Sequence, residues 1–249
     1  MRLGNAVADL LFPPRCVACH RLGAWLCAGC MADIEIMRPP VCAHCGIALS
    51  PDARDAGQVS AHSRQAATDP TVLCAQCRKA PFQLDGLRAC AFHSGPLREA
   101  IHQFKYEGLR ALATPLGQLM SRTWSEVAPT GDFDAIVPVP LHPARQRERG
   151  YNQATLLARE LSPSLGCPVV ENDLVRVKAT APQVDLSAEQ RRANMQHAFK
   201  CTKSGLAGKR VLLIDDVCTT GATLEAAAVA LYQAGVVSVW SYTLARARL

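Results

Sequence analysis

An open, mainly parallel α/β sheet preceded by a small metal-bound cysteine module is the fold class that this 249-residue sequence predicts, and three observations carry it. The apolar run Val211 to Ile214 ends in Asp215 and Asp216, then passes through a turn rich in hydroxyls and glycine into a helical stretch. Strand-like and helix-like segments alternate along the rest of the chain, as in a sheet built with helical crossovers. Eight of the twelve cysteines stand as four C-x2-C pairs in the first third.

Taken in order, Met1 to Leu11 reads as a short amphipathic helix stopped by Pro13-Pro14. The cysteine module then runs to about Pro81. Asp85 to His93 is strand-like, and Gly95 to Tyr106 is a helix carrying Ile101, Phe104 and Lys105. Leu112 to Val127 reads as another helix, and Asp134 to Val139 as a buried strand ending at Pro140. Tyr151 to Leu161 is helical and Val169 to Val177 strand-like. Val211 to Ile214 is continuously apolar and branched, as expected of a strand buried on both faces. Leu224 to Ala234 is helical, and Val236 to Ala245 forms the final strand. The expected division is a module over 1–81, with a mobile insert at about 46–73, and an α/β domain over 82–249.

The knuckles are Cys16 and Cys19, Cys27 and Cys30, Cys42 and Cys45, and Cys74 and Cys77. Each aims two thiolates at one point, and two knuckles complete a tetrahedral S4 site suited to structural Zn²⁺. Disulfides are the competing reading, but Leu10-Leu11-Phe12 is too short an apolar core for an export signal and Asp9 interrupts its approach. A thioredoxin-like motif needs its pair between a strand and a helix. Neighbourhood pairs Cys16, Cys19, Cys27 and Cys30 in one site and Cys42, Cys45, Cys74 and Cys77 in another, with interleaved pairing left open by spacing alone. His20 and His44 read as neighbours of the ligands rather than ligands. Both sites look closed, with no open position for catalysis.

Composition fits a cytoplasmic protein with one sizeable core, 49% of residues being hydrophobic. The formal charge of +6 counts every cysteine as neutral; eight thiolates subtract eight and two Zn²⁺ restore four, leaving +2. Global basicity is therefore a weak argument for nucleic acid. No apolar stretch is long enough for membrane insertion.

The turn after the apolar strand looks like a ribose-5-phosphate site. Carboxylates at a strand's carboxyl end, Asp215 and Asp216, accept hydrogen bonds from vicinal sugar hydroxyls. Amides at the start of the following helix favour an anion. Gly221 permits close backbone approach, Thr219, Thr220 and Thr223 add hydroxyls, and Ala222 completes the turn. A nucleotide triphosphatase would need a Walker A loop, and Gly205 to Arg210 has neither its spacing nor its position. Three further arginines, Arg145, Arg147 and Arg149, lie in a loop after the strand ending in Val137-Pro138-Val139-Pro140, where they offer charge-assisted donors to an anion. Arg176 to Ser187 with Arg191, Arg192 and Asn194 reads as a polar lid whose candidate cations for a bound anion are Lys178, Arg191 and Arg192, or, equally, Arg191 and Arg192 as surface residues of a helix capped by Ser187.

Val211 to Thr223 closely resembles the signature of type I phosphoribosyltransferases, departing at Cys218, where a larger apolar residue is usual. Together with Phe104-Lys105-Tyr106-Glu107-Gly108, Val137 to His142, Arg149-Gly150-Tyr151-Asn152-Gln153, Thr180 to Ser187 and the cysteine knuckles, the chain resembles the ComF family of competence-associated proteins. That resemblance implies an N-terminal zinc ribbon, a domain binding phosphoribosyl pyrophosphate (PRPP) with Mg²⁺, and cytoplasmic action on incoming single-stranded DNA beside DNA-uptake proteins. It implies pyrophosphate as the anion met by Arg145, Arg147 and Arg149 and as the leaving group met by the lid candidates Lys178, Arg191 and Arg192, and it implies no particular phosphoribosyl acceptor. Two readings stay open, a phosphoribosyltransferase and a non-catalytic PRPP sensor that binds single-stranded DNA.

Overall fold

The computed structural model describes residues 13–49, 72–127, 132–178, 195, 197–203 and 205–248. The helix expected over Met1 to Leu11, most of the insert, and Arg191 and Arg192 lie outside the described residues.

Two short helices, α1 (Ala28–Ala32) and α2 (Ala75–Lys79), sit inside the cysteine module, each capped by a knuckle sulfur, Cys27 or Cys74. The α/β part runs β1 (Gly86–Phe92), α3 (Gly95–Tyr106), a 3-10 turn (Arg110–Leu112), α4 (Ala113–Val127), β2 (Ala135–Pro138), α5 (Pro143–Arg149) and α6 (Gln153–Leu165). It continues with β3 (Leu174–Arg176), β4 (Phe199–Cys201), β5 (Arg210–Cys218), α7 (Ala222–Gln233) and β6 (Ser238–Arg246).

The main sheet has the order β1-β6-β5-β2, and every pairing in it is parallel. Side-chain alternation splits its core in two. Ile136, Leu212, Ile214, Tyr242 and Leu244 pack with Phe104, Leu116, Met120, Leu157 and Leu161 of α3, α4 and α6. Ala135, Val137, Val211, Leu213 and Val239 pack with Leu224, Ala227, Ala228 and Leu231 of α7 and with Leu174 and Phe199. Both faces are thus covered, as the unbroken apolar run at 211–214 demands.

Four expectations are corrected. Val169 to Val177 is not one strand: Val169 bridges Ile136 in parallel, whereas Leu174–Arg176 leaves the sheet to pair antiparallel with β4. Glu171-Asn172-Asp173 divides the two, Asn and Asp being turn formers. β5 is longer than its apolar run, because pairing with β6 continues through Asp215 and Val217 to Cys218 opposite Arg246. The arginine segment after β2 is a helix, α5, rather than a loop, and α6 continues through Pro163 until left-handed Gly166 ends it.

The linker between the two cysteine groups, together with the Cys42 to Cys45 knuckle, closes the free edge of β1. Met37 N–H donates to the Cys90 carbonyl (3.0 Å), Phe92 N–H to the Glu35 carbonyl (2.9 Å) and Leu87 N–H to the His44 carbonyl (2.7 Å). An edge that would otherwise template pairing with another chain is covered by the chain itself. Among the described residues no helix is long and apolar enough to cross a membrane.

Candidate functional site

After β2 the chain crosses to Val169 on one side, while β5 lies on the other side of β2. Such a switch in strand order opens a crevice at the carboxyl ends of the strands. Asp215 and Asp216 stand there, Asp215 half-buried and Asp216 7% exposed. Gly221 ends the turn at φ +83° and precedes α7, whose first amides have no intrahelical acceptor and point to one volume. A Cβ on Gly221 would meet the Phe82 ring at 2.8 Å, so glycine is required for conformation and for space. Thr219 is exposed, Thr220 and Thr223 are half-buried, and Ala222 is buried. Cys218 is buried, and that burial pushes its thiol up to about 11, so it packs as a small hydrophobe.

The structure adds a cation that motif reading left out of the site. Lys105 Nζ, at the end of α3, lies 2.7 Å from Asp216 Oδ1, with side chains 20% and 10% exposed. Burial pulls the Lys105 ammonium down, but the Asp216 charge and hydrogen bond, and Asp215 behind it, hold it above its ordinary value. Asp215 is pushed up to about 7, first by desolvation and then by the Asp216 charge, against the opposing pull of Lys105, the Asp216 amide and Arg176. His93, just past β1, is lowered by burial and by Lys105 and Arg98, with Asp216 opposing. Two carboxylates, an ammonium, an imidazole and a guanidinium therefore share one electrostatic environment.

Lys105 is held in place by the Arg149 to Gln153 motif. Tyr151 Oη donates to the Phe104 carbonyl, and Gln153 Nε2 donates to the same oxygen (3.3 Å). Gly150, at φ +74°, ends α5, and Asn152 caps α6 by accepting from Ala154 N–H (3.0 Å) while its Nδ2 donates to the Val139 carbonyl (2.9 Å). Residues far apart in sequence thus fix one helix end against the end of β2.

The three arginines of α5 diverge. Arg145 is half-buried and close enough to Arg176 to lower that guanidinium, which burial lowers first and Asp215 opposes. Arg149 donates to Gln153 Oε1 (3.1 Å) and lies over the Tyr106 ring at 5.0 Å. Arg147 is exposed. Of the lid candidates, Lys178 is exposed just after β3, whereas Arg191 and Arg192 lie outside the described residues.

The cysteines gather in two groups, Cys16, Cys19, Cys27 and Cys30, and Cys42, Cys45, Cys74 and Cys77, with all four sulfurs of each within 4.8 Å of one another. Geometry selects the neighbour pairing. Backbone amides point at the sulfurs, Cys27 N–H at Cys16 Sγ (3.4 Å) and Cys74 N–H at Cys42 Sγ (3.3 Å). The Cys45 hydrogen bond draws Cys42 down to about 4, and burial pushes Cys77 up to about 12. Four sulfurs this close ionise together only against a cation, and Zn²⁺ suits an S4 set. At the second group Arg88 and Arg246 are additional counter-charges. Arg88 donates to the Ala43 carbonyl (2.9 Å), and the buried Arg246 donates to the Cys45 carbonyl. These residues fit the dianion of a zinc tetrathiolate.

The chain matches the double zinc ribbon domain over residues 7–64 and the phosphoribosyl transferase domain over residues 149–248. Competence protein F of Haemophilus influenzae is 34% identical over 242 residues, spanning 94% of this chain and 97% of that protein. DNA utilization protein YhgH of Escherichia coli strain K12 is 31% identical over 224 residues, 89% of this chain and 96% of that protein. Competence protein ComFC of Bacillus subtilis is 34% identical over 161 residues, 64% of this chain and 63% of that one. Among solved structures, glutamine PRPP amidotransferase from B. subtilis is 16% identical with a TM-score of 0.37, covering 54% of this chain and 26% of that one. Purine phosphoribosyltransferase from Pyrococcus horikoshii Ot3 is 17% identical with a TM-score of 0.33, covering 53% and 80%.

Proposed function

The chain belongs to the ComF family of competence-associated proteins, and from that premise we propose that its α/β domain, residues 82–249, binds PRPP with Mg²⁺ and serves DNA uptake in the cytoplasm through that site. The observation that carries this reading is the meeting of Asp215, Asp216 and the Gly221 helix start at one crevice, with Lys105, Arg145 and Arg176 around them. The carboxylates accept from the two ribose hydroxyls, and the amides and hydroxyls of 219–223 take the 5-phosphate. In this reading Arg145 takes the pyrophosphate, and Lys178, exposed just after β3, is a second cation for it.

In a transfer, the bond from C1 to pyrophosphate breaks and a nitrogen nucleophile gives its electron pair to C1 and loses a proton. The sugar is cationic on the way. Asp215 and Asp216 supply negative charge beside it, while Lys105 fixes the Asp216 carboxylate. Bound Mg²⁺ would neutralise charge on the departing pyrophosphate.

A second reading is favoured by the rim. Tyr106 is 60% exposed with Arg149 over its ring, and Arg110 lies 4.8 Å from the Tyr151 ring centroid. An exposed aromatic beside guanidiniums suits a stacked base and its phosphate, so a PRPP sensor that holds single-stranded DNA uses the same face.

Calorimetric titration with PRPP and Mg²⁺ tests the binding claim. Micromolar affinity, about −8 kcal/mol, is expected, and Asp216→Ala removes most of it. An absence of heat and of competition by ribose 5-phosphate in the wild-type protein refutes the site. Pyrophosphate release with any acceptor then selects the transferase, and tight binding without release selects the sensor.

A further inference from the structure

The polypeptide leaving the second cysteine group runs directly against the phosphate turn. Phe82, five residues beyond Cys77, is 8% exposed, and its ring edge occupies the space next to Gly221. His44, inside the Cys42 to Cys45 knuckle, stacks parallel to that ring, with centroids 6.2 Å apart and planes 6° apart. Its Nε2 lies 3.2 Å from the Phe82 carbonyl. One residue on, Gln83 N–H donates to Glu225 Oε1 in the first turn of α7 (3.2 Å). From the sheet side, Arg246 pairs in register with Cys218, where the turn begins, and donates to the Cys45 carbonyl. One knuckle is therefore linked to the turn twice, through the Phe82 ring at Gly221 and through Arg246 at Cys218.

A turn that binds phosphate by several amides at once needs those amides aligned before the ligand arrives, because ordering them afterwards subtracts from affinity. Gly221 has no side chain with which to hold its own left-handed conformation. The Phe82 ring is the wall beside it, and that ring sits on the segment leaving Cys77, stacked on His44 inside the Cys42 to Cys45 knuckle. The first cysteine group is placed differently, its Cys16, Val17 and Leu26 joining the core formed with α3 and α4.

We propose that the second zinc ribbon is a positioning element for the phosphate turn, acting through Phe82 and Arg246, so that the turn holds its anion-binding shape only while that site is closed around its metal. This rests on the PRPP reading for its ligand but not for its structural content. The experiment therefore has two arms on the full chain: calorimetry with PRPP and Mg²⁺, and amide hydrogen exchange of the 217–224 segment without ligand. Elemental analysis accompanies both.

Phe82→Ala is expected to keep two zinc ions, to raise exchange in 217–224 while protection elsewhere in the sheet stays unchanged, and to weaken PRPP binding at least tenfold. Phe82→Leu, which restores an apolar wall, recovers most of both. Cys74→Ser loses one zinc and behaves as Phe82→Ala or worse. Leu26→Ala, which loosens the first ribbon, leaves exchange in 217–224 as in the wild type. Unchanged exchange in Phe82→Ala overturns the proposal, as does an equal rise in Leu26→Ala. Raised exchange in a protein whose wild type does not bind PRPP sinks the PRPP reading and leaves the coupling standing.

Discussion

Replacing Asp215 by Asn should stabilise the unliganded protein while damaging its ligand site. Asp215 ionises only near pH 7 in the folded chain, against an ordinary value of 3.8, because burial and the Asp216 charge oppose its carboxylate. Between those values the folded state keeps a proton that the unfolded chain gives up. Stability therefore falls as pH rises through this window and stays lower above it. At about 1.4 kcal/mol per unit the full shift corresponds to about 4 kcal/mol, and solvent reaching the half-buried side chain reduces this to about 2–4 kcal/mol. Asn matches the neutral acid in shape and retains the acceptor for Asp216 N–H, which donates to Asp215 Oδ1 at 2.8 Å. Urea denaturation of the zinc-loaded proteins across pH 5 to 8 is the assay. The Asn variant should gain on the wild type as pH rises, reach its largest advantage near pH 8, and bind PRPP at least tenfold more weakly. A variant less stable than wild type at pH 8, or one whose advantage does not change with pH, refutes the electrostatic account.

Lys105→Met removes the cation that pulls the Asp215 carboxyl down, so the pH at which PRPP affinity reaches half its maximum should move upward, measured by titrations from pH 6 to 9. Cys30→Ser should lower bound zinc from two ions to one and unfold the first ribbon while sparing the α/β domain; stoichiometric disulfides and no metal in the wild type would end the zinc reading. Single-stranded DNA should bind with little sequence preference and weaken steeply with salt, and Tyr106→Ala should cost about 1–3 kcal/mol in anisotropy titrations. Retention of full affinity by that variant removes Tyr106 as a stacking platform.

Legibility followed locality. The strand, turn and helix over 210–233 could be read because each signal lies within a few residues of the next: an apolar run, two acids, a glycine between hydroxyls, an alanine-rich helix. The knuckles were equally local, since C-x2-C fixes its own geometry, and only the partnership between knuckles needed the fold. The failures have the same cause. Val169 to Val177 carries a local break at Glu171-Asn172-Asp173, but a three-residue polar run does not say that the two halves join different sheets, Ile136 being the partner of one and Phe199–Cys201 of the other. Pairing partners tens of residues away leave no mark in a window of ten.

Lys105 shows how a site residue escapes such reading. A lysine in the last turn of an amphipathic helix has an ordinary explanation, because that end of a helix favours cations. Nothing in 95–106 says that this end abuts a strand more than a hundred residues later. What places it there is the grip of Tyr151 and Gln153 on the Phe104 carbonyl, with Asn152 tying the same segment to Val139 at the end of β2. The two short motifs are each unremarkable as helix ends, and their meaning lies in their contact. Phe82 is the parallel case just beyond the ribbon, where an aromatic near the last knuckle reads as core until its ring is found 2.8 Å from where a Cβ on Gly221 would sit. In this chain the residues proposed to hold phosphate and sugar are written locally, while those that orient them come from other segments.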